Sequence, residues 1–169
     1  MNQQNKLSRF FRHLFSGPWR VKKFFPESAM QNIEAEIRDN ETTHTGEIRF
    51  AVEAALHPYE LLAGKTPRQR AIELFAAMNV WDTEANNGVL IYLLLADHDV
   101  EIVADRGIDR IVGKEGWEAI CHEMEAAFSR GHFETGALNG IRQIGKVLQG
   151  HFPADGANNN ELPDAPLVI

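Results

Sequence analysis

A single cysteine, Cys121, stands in this chain of 169 residues. One thiol cannot form an internal disulfide, and neither a CxxC redox pair nor a thiolate zinc cage can be built from it. Nothing in the sequence therefore demands an oxidising compartment. Long apolar runs are also missing. The longest, Val89 to Ala96, falls far short of the roughly 18 residues that suggest a membrane span, so no transmembrane helix is expected. A secretory signal is not recognisable either, because Arg9, Arg12 and His13 interrupt the N-terminal apolar residues and no small-residue cleavage site follows. The location implied is cytoplasmic. Acidic residues are absent from positions 1–25, which hold Lys6, Arg9, Arg12, Arg20, Lys22 and Lys23, whereas the whole chain carries a net charge of −7. The acidic body excludes general nucleic-acid binding, which needs a basic surface to neutralise phosphates.

What is present suffices for one domain: 44% of the residues are apolar, enough for a single core at this length. The chain divides into a basic arm (1–25), a folded domain (26–151) and a tail (152–169) rich in Pro, Asn, Asp and Gly that reads as loop, with an apolar end, Leu167, Val168 and Ile169, that can dock. In the arm, Leu7, Phe10, Phe11, Leu14 and Phe15 recur at helical spacing until Gly17-Pro18 breaks the pattern. Such a helix suits peripheral attachment to an anionic membrane surface, and it equally suits packing on its own domain or on a membrane-protein partner, which is the more ordinary outcome.

The domain then reads as alternating elements. Met30, Ile33 and Ile37 stripe a first helix. Ile48, Phe50, Val52 and Ala54 alternate with Arg49 and Glu53, as in a strand with one partly solvated face. Thr66-Pro67-Arg68-Gln69 is a capping box with proline at the first helical position, opening a helix that buries Ala71, Leu74, Phe75 and Met78. After the polar loop Trp81 to Asn87, the run Val89 to Ala96 reads as a central strand buried on both faces. Asp97-His98-Asp99 turns the chain back into an antiparallel third strand. Trp117, Ile120, Met124 and Phe128 stripe one further helix, and Leu138, Ile141, Ile144 and Leu148 another. The glycines at 136, 140 and 145 each weaken the latter by roughly 1 kcal/mol relative to alanine and so imply close packing. The order gives an α/β protein with a small mixed sheet covered by helices on both faces, the first two strands parallel because a helix connects them.

That topology gathers specific segments at one end of the sheet: the entries to the first two strands and the exit from the third. The polar residues there are Glu47, then Asp82, Glu84, Asn86 and Asn87, then Asp105 and Asp109. Carboxylates and amides offer hard oxygens, which suit calcium or magnesium rather than zinc or copper. Gly46, Gly88 and Gly107 flank these segments and permit close backbone approach.

Other motifs are weaker. The loop from Asp82 is not an EF-hand, since its sixth position is Asn87 and its twelfth Leu93. Leu94 to Val100 has the look of a strand followed by a DxD phosphatase nucleophile, but a hairpin turn explains it better. The seven histidines, His44, His98, His122 and His132 among them, lack zinc-site spacing and are expected at the surface. Cys121 sits beside a core stripe and reads as a small packing residue. No glycine-rich phosphate loop or GxSxG elbow is present.

The segment Asp82-Thr83-Glu84-Ala85-Asn86-Asn87-Gly88 resembles the TPM-domain family. The same resemblance is carried by Thr45-Gly46-Glu47-Ile48, by Arg70 to Phe75, by Asn86-Asn87-Gly88-Val89-Leu90, by Ala104-Asp105-Arg106-Gly107-Ile108, and by Phe128 to Gly140. It spans residues 30–150 and implies a Rossmann-like α/β/α sandwich. It further implies a divalent-metal loop of Asp-xxx-Asn form, matched by Asp82 and Asn86. Plant thylakoid members are acid phosphatases, and others act in membrane-protein maintenance or as accessory subunits. The expectation is thus a calcium site, with magnesium second, built from Asp82, Asn86, Asn87, Glu47 and Asp105, and slow phosphate-ester hydrolysis. The alternative is a non-catalytic module acting on membrane proteins or at a membrane surface.

Overall fold

The structure, a computed structural model, describes residues 3–154, 156 and 160–169. The elements are α1 (Gln3–Leu14), α2 (Pro18–Phe24), α3 (Glu27–Glu41), β1 (Ile48–Glu53), α4 (Pro58–Leu62), α5 (Pro67–Ala77), β2 (Val89–Leu94), β3 (Asp99–Ala104), α6 (Arg106–Ser129), α7 (Phe133–His151) and β4 (Leu167–Val168). They form a four-stranded sheet of order β3-β2-β1-β4. β1 runs parallel to β2, with Ile48 opposite Val89 and Glu53 opposite Leu94. β3 returns antiparallel along β2, with Val89 opposite Ala104.

Residue alternation along the strands supplies two cores. Ile48, Phe50 and Val52 of β1 and Ile91 and Leu93 of β2 pack with α3, α6 and α7, through Ile33, Met124, Phe128 and Ile144 among others. The opposite face, with Leu90, Tyr92 and Leu94, packs against Ala71 and Leu74 of α5, Val80 and Leu56. With helices on both faces, the sheet is the middle layer of an α/β/α sandwich. β2 is buried at every position, as its unbroken apolar run requires. α5 starts where its sequence says, with Thr66 Oγ1 accepting from the Gln69 amide at 3.2 Å and Gln69 Oε1 accepting from the Thr66 amide at 3.0 Å.

The structure departs from the sequence reading in four places. β1 has no solvated face, since all six residues are buried. Glu53 tolerates this because its carboxylate takes two hydrogen bonds from Arg70, at 2.9 and 3.2 Å, and a third from the Tyr92 hydroxyl at 2.7 Å. Burial, with the neighbouring Glu53 charge adding to it, pushes the Tyr92 hydroxyl pKa upward, so Tyr92 stays protonated and donates. Two histidines are interior: His13 is 3% exposed and His44 is fully buried. Burial lowers the His44 pKa to about 4, which keeps it neutral. A short helix, α4, was not legible; it opens with a capping box in which His57 replaces the usual Ser or Thr. Finally, the apolar end of the tail docks not as loop but as a strand, for Leu167 and Val168 add β4 to the free edge of β1 in parallel.

The arm is anchored to the domain. Val21 and Phe25 join the larger core, where the Phe25 ring lies 5.9 Å from that of Phe50. The α7 glycines pack closely as expected: a Cβ at Gly140 would strike Met124, and one at Gly136 would strike Phe128. No helix among the described residues is long and apolar enough to cross a membrane.

Candidate functional site

The end of the sheet where β1 and β2 begin and β3 ends is bounded by the 82–88 loop, the N-terminus of α6 and the tail. The loop is held on itself: the Asn86 amide donates to the Thr83 carbonyl at 3.2 Å, and the Asn87 amide donates to Thr83 Oγ1 at 3.0 Å. Asn86 adopts φ 54°, a conformation that asparagine tolerates better than most residues. The Asn86 carbonyl then accepts from the Ile108 amide at 3.2 Å, and the Gly88 carbonyl from the Asp105 amide at 2.8 Å. Both glycines are needed for this approach. A Cβ on Gly107 would collide with the Asn86 carbonyl oxygen, and one on Gly88 with that of Val80.

The expected ligand residues are therefore gathered at one end of the sheet, but in different states. Asp82 and Asn86 are exposed on the loop. Asn87 is fully buried; its Nδ2 donates to Thr45 Oγ1 at 3.3 Å, while its Oδ1 has no hydrogen-bond partner. Asp105 is the N-cap of α6: Oδ1 accepts from the Arg106 amide at 2.7 Å, and buried Oδ2 has no partner. Glu47 differs from these four, because both its oxygens are already hydrogen-bonded, to the Glu161 and Leu162 amides at 3.1 Å each. Burial raises the pKa of Glu47 in spite of those amides. Asp109 accepts from the Trp117 indole at 3.0 Å. The tail closes onto the loop as well, since the Glu161 carboxylate accepts from the Glu84 amide at 3.2 Å.

Among the described residues no three His, Cys, Asp or Glu side chains converge as a metal cluster. A cation here would rely on mixed ligands, meaning carboxylate, side-chain amide and backbone carbonyl oxygens, a set that suits calcium far better than zinc, which prefers thiolate and imidazole. Two unpaired, buried oxygens at one sheet end fit such a group, because a buried acceptor left unpaired is costly.

Sequence reasoning missed the cationic side of this region. Ala85, Asn86, Arg106, Gly107 and Arg110 line an open hollow of about 410 Å³. The spacing of Arg106 and Arg110, one helical turn apart at the start of α6, was the available signal. Elsewhere, burial pushes the Cys121 thiol up to about 12, so it is no nucleophile at neutral pH.

A family model described as the TPM domain matches residues 21–147. Among solved structures, the chain is similar to the BA42 protein from the psychrophilic bacterium Bizionia argentinensis, determined by NMR. The identity is 28%, the TM-score 0.77, and the match covers 88% of this chain and 98% of that one. The N-terminal domain of a protein from P. gingivalis shares the fold at a TM-score of 0.59 and 16% identity, over 75% of this chain and 77% of that one. No curated protein matches. The match over three quarters of the sequence shows that the chain belongs to the TPM-domain family.

Proposed function

We propose that the chain is a divalent-cation-binding domain, with calcium preferred to magnesium, whose site doubles as a weak binding and hydrolysis site for phosphate esters. The observation that carries the reading is the pair of buried oxygens without hydrogen bonds, Asp105 Oδ2 and Asn87 Oδ1, beside the exposed Asp82 and Asn86. These four residues would hold the cation. Glu47, its oxygens taken by the tail, supports the site by fixing residues 161 and 162. When bound, the cation would polarise a phosphoryl oxygen and a coordinated water.

The residues of the chain itself have a plainer task. Arg106 and Arg110 border the hollow and attract a phosphoryl group that the acidic body would otherwise repel. The N-terminus of α6 adds a positive dipole end in the same place. No nucleophile or general base stands out beside the hollow, so hydrolysis would be slow. Calorimetric titration of chelated protein with calcium tests the cation, and a flat titration sinks the reading. Hydrolysis of an aryl phosphate by wild type, Asp82→Ala and Arg106→Ala tests the chemistry, because activity that survives both substitutions comes from a contaminant.

A second reading, a non-catalytic accessory module at a membrane protein or membrane surface, draws on a different observation. The exposed apolar residues of the N-terminal arm, Phe11, Phe15 and Trp19 among them, have no partner surface on the domain.

A further inference from the structure

Helix α1 is mounted with its amphipathicity inverted. The side that meets the domain is the polar one. Arg9 Nε donates to Asp97 Oδ2 at 2.8 Å, and Arg9 also donates to the Lys65 carbonyl at 3.2 Å. His13 is buried, its Nδ1 accepting from the Leu56 amide at 3.0 Å and its Nε2 lying 3.0 Å from Asp97 Oδ1. The side turned to solvent is the apolar one: Leu7 is 60% exposed, Leu14 54% and Phe15 74%, with Phe11 stacked on Phe15 at 6.5 Å. Positions 7, 11, 14 and 15 fall on one helical face, and Trp19, 59% exposed, extends the patch into α2. An ordinary surface helix buries that face against its core. Here, the domain supplies the anchor for the polar face and leaves the apolar face without a partner.

We infer that this face inserts into the surface of an anionic lipid bilayer. The inference deepens the second reading above, and it chooses lipid over protein on charge. The first 25 residues contain six Lys and Arg and no acid, in a protein of net charge −7. Lys22 and Lys23 are exposed beside the patch, and Arg12 keeps 54% of its side chain open. A rim of cations around exposed aromatic and leucine side chains matches an interface of acidic headgroups over acyl chains. The mounting also fixes orientation. Asp97, Leu56 and Lys65 lie at the end of the sheet where β1 and β2 finish, whereas Asn87 and Asp105 lie at the other end. Across the six residues of β2, the candidate cation site lies roughly 20 Å along the sheet from the anchor of the arm.

The test uses the full chain with vesicles of phosphatidylcholine alone and of phosphatidylcholine mixed with phosphatidylglycerol. Cosedimentation with the anionic vesicles is expected, weakening as salt is added. Phe11→Ser/Phe15→Ser should weaken it by about tenfold or more per phenylalanine, from the apolar area withdrawn from lipid, with an unchanged melting temperature because both side chains are exposed. The third tryptophan, Trp117, is buried and emits in both variants, so brominated acyl chains should quench the Trp81→Phe protein, which keeps Trp19, well beyond the Trp19→Phe protein, which keeps Trp81 beside the cation loop. Equal binding by wild type and the double variant, equal binding to neutral and anionic vesicles, or quenching of Trp81 but not Trp19 would overturn the inference. Self-association dispersed by the double variant, without vesicle binding, would assign the face to a second copy of the chain. Loss of lipid binding alone leaves the accessory-module reading to be judged on protein partners, and the calcium titration is read independently of either.

Discussion

Arg9 reaches Asp97 across 88 positions of sequence, its Nε 2.8 Å from Oδ2, and this contact fastens the first helix of the chain to the turn between β2 and β3. The carboxylate is 9% exposed and also lies 3.2 Å from Arg12 and 3.0 Å from His13. Burial alone would raise its pKa. The His13 and Arg9 partners outweigh that and hold it below the usual carboxylate value.

Asp97→Ala is therefore expected to cost about 3 kcal/mol, because it leaves the part-buried Arg9 guanidinium without its anion and the buried His13 Nε2 without its neighbouring carboxylate. A group with a depressed folded pKa contributes stability that is present above its unfolded value and lost as pH falls. Wild type should thus show an acid limb in its melting temperature below about pH 4 that is shallower in the variant. The same substitution lies at the far end of β2 from the candidate cation site and should leave any calcium-induced shift intact.

Calcium in the chelated protein should raise the melting temperature. At a free concentration of about 100 times the dissociation constant, linkage gives about 2.7 kcal/mol, large enough to read by calorimetry. Asp82→Ala and Asp105→Ala should each remove most of the shift. Melting curves that coincide with and without calcium would leave the buried oxygens of Asn87 and Asp105 as structural features only.

Gly107→Ala tests the close approach of α6 to the loop. The added methyl meets the Asn86 carbonyl oxygen, a backbone atom that cannot rotate away. The expected cost is about 1–3 kcal/mol, with weaker calcium binding because the loop is displaced. Gly64→Ala, where no atom lies near the added methyl but φ is +76°, should lower stability by backbone strain alone and leave calcium binding unchanged.

Glu41 should shape the alkaline side of the stability profile. Burial raises its pKa from 4.5 to about 8, against the lowering effect of the Ile48 amide that donates to it at 2.9 Å. With the folded value above the unfolded one, the native state binds the extra proton. Its contribution is then complete below about pH 4.5 and is lost as pH rises through about 8. Glu41→Gln keeps the acceptor oxygen and removes the titration. Its melting temperature should vary less than that of wild type between pH 5 and 8, and parallel profiles would contradict the assignment.

The sheet and its covering were legible because each rests on local pattern. The apolar run Val89 to Ala96 reads most simply as a strand buried on both faces, and a tight return explains Asp97-His98-Asp99 better than a DxD nucleophile does. The Thr66 capping box fixed the start of α5 through bonds confined to four residues. The gathering of Glu47, Asp82, Asn86, Asn87 and Asp105 at one end followed from strand directions, once β1 and β2 were read as parallel.

Other features depended on contacts that no local pattern encodes. His13 looked like any residue of a basic arm until the fold brought Asp97 and the Leu56 amide to it. Glu53 looked solvated until Arg70 and Tyr92 met it across the sheet. The tail became a strand because the β1 edge offered it a row of unpaired backbone groups. Hydrophobic periodicity is a property of near neighbours, so the sequence by itself determined the long helices, the three main strands and the apolar faces they bury, but not the short helix α4, the edge strand β4 or the burial of the polar face of β1. Pairing of a buried charge or of a sheet edge is a property of distant residues meeting, so only the tertiary structure decided that Glu47 is bound by the tail, that Arg106 and Arg110 border the hollow, and that the apolar face of α1 is left turned outward.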